Sequence, residues 1–122
     1  MIKKYEIIFW QDKSGCSESQ KYILDLKNKS LKSKDARVKL NKIVEYMEIL
    51  EAYGTEIGEP YIKHIEYEIY ELGPYRDRFF FFYKQNNKYV ILNHFVNRTQ
   101  KTPRREIEKA HRLVKDFNER NL

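Results

Sequence analysis

The stretch RFFFFYK, Arg78 to Lys84, puts rings on both sides of any extended chain: Phe79, Phe81 and Tyr83 on one side, Phe80 and Phe82 on the other. A strand built this way has no face to give to water. It predicts a central strand in a sheet that is covered on both faces.

Three segments have the pattern of helices that could supply the cover. Ser17 and Gln20 have capping-box spacing ahead of Tyr22, Ile23 and Leu26. Ser33 can cap a second helix, in which Ala36, Leu40, Ile43, Met47 and Leu50 recur at intervals of four and three until Gly54 stops it. Thr102 at the cap and Pro103 in the first turn open a third. Its buried stripe is Ile107, Ala110, Val114 and Phe117, with Glu108 and Arg112 as an i,i+4 pair outside. Lys27 to Lys34, KNKSLKSK, reads as a solvated connection.

Further strands are expected at Tyr5 to Trp10, His64 to Leu72 and Lys88 to Val96. Gln85 to Asn87 would close a hairpin between the last two strands, and Gly73 to Asp77 is turn chemistry. The expected order is β-α-α-β-β-β-α. At 122 residues the chain has the size of one α+β domain, 1–122.

Several functions are poorly served by these residues. Four scattered glycines offer no phosphate-binding loop, and no GxSxG elbow occurs. His64, His94 and His111 have no metal-ligand spacing with each other or with Cys16, so neither metal nor cofactor is expected. A lone cysteine forms no internal disulfide. The longest apolar run, Phe79 to Tyr83, is far too short for a membrane span, and the opening MIKKYEIIFWQDK is no signal peptide. The expectation is a cytoplasmic protein with no membrane partner.

The net charge of +6 favours polyanions, and its distribution says more than its sum. Arg37 is the one arginine before residue 62, whereas Arg76, Arg78, Arg98, Arg104, Arg105, Arg112 and Arg120 follow it. Arginine's planar fork grips phosphate in bidentate fashion, so the second half is the expected functional half. By contrast, Glu45 to Glu59 holds five glutamates and no Lys or Arg, which reads by default as a solvated helix face and alternatively as a contact for a basic partner.

Cations gather where the strands end: Arg76, Arg78, His94, Arg98, Lys101, Arg104 and Arg105. Strand alternation puts Arg78 on the side of Phe80 and Phe82, and His94 on the side of Val90, Leu92 and Val96. Arg98 and Lys101 precede a helix N-terminus, whose N–H groups and dipole favour an anion. Arg104 and Arg105 in the first helical turn are mildly unfavourable unless an anion relieves them. The competing reading is a solvated loop and a histidine satisfied in the core.

YEL at Tyr70 to Leu72, RDRFFFF at Arg76 to Phe82 and LNHFVNRTQKTPRREIEKA at Leu92 to Ala110 resemble the HigB-type, Gp49-like branch of the RelE/ParE toxin superfamily. The likeness covers about residues 62 to 118, and TQKTP followed by EI is its most specific part. It implies a RelE/ParE-like fold, a small, largely antiparallel sheet flanked by helices. It also implies a toxin that cuts mRNA as an endoribonuclease, usually on the ribosome, and so inhibits translation. The implied partner is a cognate antitoxin, often a helix-turn-helix protein of the HigA type.

RNA cleavage without a metal needs a base for the 2′-hydroxyl, positive charge for the phosphorane and a proton for the leaving 5′-oxygen. Arg78, with Arg76 or Arg98, is the expected phosphate holder, and Lys101, Arg104 and Arg105 are the expected backbone contacts. His94 is the expected proton carrier, since histidine ordinarily titrates nearest neutrality. Tyr70 and Tyr83 would stack on a base or donate a proton, or else pack in the core. Gly73 stands where the family usually has an arginine, Asn97 and Arg98 replace a lysine pair, and Asn93 replaces a frequent histidine. These departures keep alternatives open: a binding toxin of the ParE type acting on gyrase, or a complex-forming homologue without activity.

Overall fold

The computed structural model describes residues 2–121. Five strands, β1 (Glu6–Phe9), β2 (Ile62–Glu66), β3 (Ile69–Leu72), β4 (Asp77–Lys84) and β5 (Lys88–Val96), form one mixed sheet in the order β1-β5-β4-β3-β2. β1 runs parallel to β5 and the other pairings are antiparallel. The helices are α1 (Glu18–Lys29), α2 (Lys34–Tyr53) and α3 (Arg104–Arg120).

β4 lies at the middle of the sheet, as its two aromatic faces require. Phe79 and Phe81 join Leu26, Ile43, Leu50, Leu72 and Ile91 under α1 and α2. Phe80 and Phe82 join Ile69, Val90, Leu92, Ile107, Ala110 and Val114 under α3. Each fully buried ring contributes about 1.5–3 kcal/mol, so this one strand anchors both helical layers.

The expected caps of the first two helices are present: the Ser17 hydroxyl accepts from the Gln20 amide at 3.1 Å, and Ser33 from the Ala36 amide at 3.2 Å. α2 ends at Tyr53 because Gly54 takes φ +69°. α1 runs to Lys29, so the stretch expected to be all connection is helical over its first residues.

Two expectations are corrected. His64 to Leu72 is not one strand; Tyr67 adopts φ +49° and folds the segment into the β2–β3 hairpin, giving five strands where four were expected. α3 begins one residue late: Pro103 is its N-cap, no side chain among the described residues caps it, and Glu108 pairs with Arg104 at 3.7 Å rather than with Arg112.

Candidate functional site

The β4–β5 ladder carries a bulge that decides what faces what. Phe81 pairs with Ile91 but Phe79 pairs with His94, so β5 spends one residue more than β4. Leu92 and Asn93 both turn toward α3: Leu92 joins the cluster beneath that helix, and the Asn93 amide donates to the Glu106 carbonyl at 3.2 Å and carboxylate at 3.0 Å. On the other side, the buried Ser19 hydroxyl of α1 donates to the Leu92 carbonyl at 3.2 Å.

The bulge turns His94 to the α1/α2 face, against the simple alternation that would keep it with Val90 and Leu92. Its ring stacks on Tyr22 at 3.7 Å and touches Phe79 at 4.8 Å, and Nε2 lies 2.9 Å from Asp77 Oδ1. Its side chain is 8% exposed. The Tyr22 hydroxyl donates to the same Asp77 oxygen at 2.7 Å. Burial acts to raise the Asp77 carboxyl, but the hydrogen bonds from His94 and Tyr22 outweigh it and hold the group below the ordinary range. Burial and the Asp77 carboxylate together push the Tyr22 phenol far above its usual value.

Arg78 remains on the Phe80 side. It pairs across the ladder with Phe95, whose ring meets Phe80 at 5.1 Å, and Phe80 in turn pairs with Glu71. Arg78 Nη1 donates to the Tyr75 carbonyl at 2.6 Å and the Asp77 carbonyl at 2.9 Å. Its Nε lies 3.7 Å from Glu71 Oε2. The turn before β4 thus fixes the guanidinium from behind, which lowers the entropy lost on gripping a ligand.

In front of it opens a cleft of about 420 Å³. Its lining includes the charged Lys63 on β2, Glu71 on β3, Arg78 on β4 and Glu59 ahead of β2, together with Asn97, Thr99, Gln100 and Thr102 of the β5–α3 loop. Gly73 closes one end, where a Cβ would stand 3.2 Å from Arg78 Nη1. Burial raises the Glu71 carboxyl above its ordinary range, and the charges of Arg78 and then Lys63 offset part of the rise.

Arg76 and Arg98 are exposed and line a second groove of about 530 Å³ on the α1/α2 side, with Lys39, Tyr22 and Asp77. The strand ends therefore form a ridge, with Arg78 on one flank and Arg76 and Arg98 on the other. Lys101 is exposed in the β5–α3 loop and Arg105 is 86% exposed beside Glu106.

Other expected contacts lie elsewhere. Arg104 is held by Glu66 in a bidentate pair at 2.6 and 3.2 Å, and His111 adds a 2.7 Å contact to the same carboxylate. Glu66, rather than an anionic ligand, relieves the cation in the first turn of α3. Tyr70 packs between His64 at 4.9 Å and Phe81 at 5.9 Å on the α1/α2 side of the sheet. Tyr83 sits toward the far end of β4, about 17 Å from Arg78 by strand rise, against Tyr89.

Sequence reasoning missed Lys63 and Glu71. Both belong to strands whose hairpin was unrecognised, and the β2–β3 register, which pairs Lys63 with Glu71, is what brings them to Arg78. Among the described residues no cluster of His, Cys, Asp or Glu could hold a metal ion, and no helix is long and apolar enough to cross a membrane.

The model of the phage-derived protein Gp49-like family matches residues 29–115, from the end of α1 through most of α3. No curated protein matches the sequence. The chain belongs to the Gp49-like family, a family of RelE/HigB-type toxins.

Proposed function

We propose that this protein acts as a single toxin domain, 1–122, that cuts mRNA on the ribosome by metal-independent attack of the 2′-hydroxyl on the adjacent phosphate. Its antagonist would be a cognate antitoxin, of the helix-turn-helix HigA type, and its place of action the cytoplasm. Family membership supports the toxin role.

The observation that carries the nuclease reading is the state of Arg78. Two carbonyls of its own turn hold the guanidinium, and it lines a cleft that also offers Lys63 and neutral donors from the β5–α3 loop. Cations fixed before the reaction stabilise charge that develops on the phosphorane without reorganising, an effect of roughly 10²–10³ in rate per donor. Thr99, Gln100 and Thr102 would orient the flanking sugar-phosphate, and Lys63 would neutralise it.

Arg76, Arg98 and Lys101 would bind phosphates that pass over the ridge, outside the reacting centre. Arg105 would add long-range attraction. His94 would support the site from behind: with Asp77 and Tyr22 it fixes the start of β4, and so the turn that holds Arg78.

The test is primer extension on mRNA in a purified translation system. Cuts made by the wild type and lost with Arg78→Ala support the reading. Intact mRNA together with a DNA-supercoiling defect would instead favour a gyrase-directed binding toxin.

A further inference from the structure

We infer that Glu71 takes the 2′-hydroxyl proton from RNA bound in the Arg78 cleft. The inference rests on the nuclease reading above and assigns it the base that reading lacks.

Glu71 is an unusual residue to find here. Its side chain is 10% exposed, it lines the cleft, and its Oε1 is buried with no hydrogen-bond partner among the described residues. Folds rarely leave a buried carboxylate oxygen unpaired, since doing so forfeits the hydration of a charged group. A carboxylate in a phosphate-binding cleft also repels the phosphate. Neither cost serves packing, because an apolar residue at this β3 position would continue the Ile69 side of the strand at lower cost.

Proton transfer at Oε2 accounts for the retained charge, Oε1 being closed off behind it. Oε2 faces Arg78 Nε at 3.7 Å, so base and phosphate holder are neighbours, as an attack by a 2′-oxygen on the adjoining phosphorus requires. The other charged groups lining the cleft are Lys63 on β2 and Glu59, which stands exposed in the loop before β2; Tyr61 adds a phenol beside it. The β5–α3 residues that line the cleft, Asn97, Thr99, Gln100 and Thr102, are neutral amides and hydroxyls. Burial raises the Glu71 carboxyl toward the working pH, the direction that strengthens a base. His94, by contrast, lies on the other face of the sheet.

The step balances within the RNA and this residue. The 2′-O–H bond breaks and its proton passes to Glu71, while the 2′-oxygen forms a bond to phosphorus. The P–O5′ bond breaks with its electron pair going to the 5′-oxygen, which takes a proton from water. The products are a 2′,3′-cyclic phosphate and a 5′-hydroxyl.

The experiment is single-turnover cleavage of a defined mRNA on purified ribosomes, followed across pH, with the wild type, Glu71→Gln, Glu71→Asp and Arg78→Ala. Glu71→Gln keeps the volume and the neighbour of Arg78 but cannot accept the proton. The expected result is a fall of roughly 10²-fold or more in the cleavage rate, with mRNA binding unchanged or tighter once the repelling charge is gone. The acidic limb of the wild-type pH profile should vanish in Glu71→Gln and persist at a lower rate in Glu71→Asp. A purely structural role for Glu71 would weaken binding and leave the limb in place. Glu71→Gln cleaving within threefold of the wild type, or retaining the acidic limb, overturns the proposal, and the nuclease reading survives if Arg78→Ala still abolishes the cuts. If the wild type makes no cuts, both fall. Circular dichroism and thermal melting establish that each variant is folded.

Discussion

Arg78 and His94 stand one residue out of register across the β4–β5 ladder, yet their side chains emerge on opposite faces of the sheet. Substituting them should therefore separate two properties. Arg78→Ala should abolish growth arrest while leaving the melting temperature near that of the wild type. His94→Ala removes a buried ring from between Tyr22, Phe79 and Asp77 and should cost about 2–4 kcal/mol in urea unfolding. A His94→Ala protein of wild-type stability would contradict the supporting role.

Gly73 is tied to Arg78 by space. A Cβ there would meet Nη1 at 3.2 Å and Cζ at 3.5 Å, and the backbone is outside the left-handed region, so an alanine is tolerated by the chain but crowds the guanidinium. Gly73→Ala should leave stability within about 0.5 kcal/mol and lower cleavage by roughly 10- to 100-fold, because small displacements of a positioning group are costly. Steady-state cleavage beside a melting curve checks both halves. Unchanged cleavage would mean that the Arg78 position is not critical.

Asp77 should govern acid stability. Burial raises its carboxyl, but the hydrogen bonds from His94 and Tyr22 outweigh that and hold it below the ordinary aspartate range, so its contribution is full above that range and is lost as pH falls through the folded value. Asp77→Asn should be less stable than the wild type by about 1–3 kcal/mol at pH 7, and the gap should narrow below about pH 4. Urea unfolding at several pH values reads the gap. A gap independent of pH would sink the assignment.

Glu71 should show the opposite sign. Burial lifts its folded carboxyl above the ordinary glutamate range, so the folded state holds the proton more tightly and stability is lost as pH rises through the folded value. Glu71→Gln should be more stable than the wild type at pH 7 by about 1–3 kcal/mol, with no advantage at pH 4. That would be a site kept costly for its chemistry. Destabilisation at pH 7 would instead mark Glu71 as a structural partner of Arg78.

The sequence revealed the architecture where periodicity and caps act locally. Ser17, Ser33 and the RFFFFYK strand state their own surroundings, and the stripes of α2 and α3 state which face is buried. It did not reveal the Tyr67 turn, because EYEIYEL contains no Gly, Pro or Asn to mark a break and only the register of β2 against β3 makes one. Nor did it reveal the β5 bulge. Alternation is a local rule, and one additional residue held by Ser19 and Asn93 re-aims His94. The site's cations were legible as types near strand ends, whereas the division of Arg78 from Arg76 and Arg98 depends on which face each strand end presents. The pairing of Arg104 was not legible because its partner, Glu66, lies 38 residues away in sequence.

The chemistry of the cut ends tests the nuclease account. mRNA recovered from a purified translation system with the wild-type protein should carry 2′,3′-cyclic phosphate on the upstream fragment and 5′-hydroxyl on the downstream one. With Arg78→Ala it should remain intact. Downstream fragments bearing 5′-phosphate, or the same cuts made by Arg78→Ala, would contradict 2′-hydroxyl attack in the Arg78 cleft.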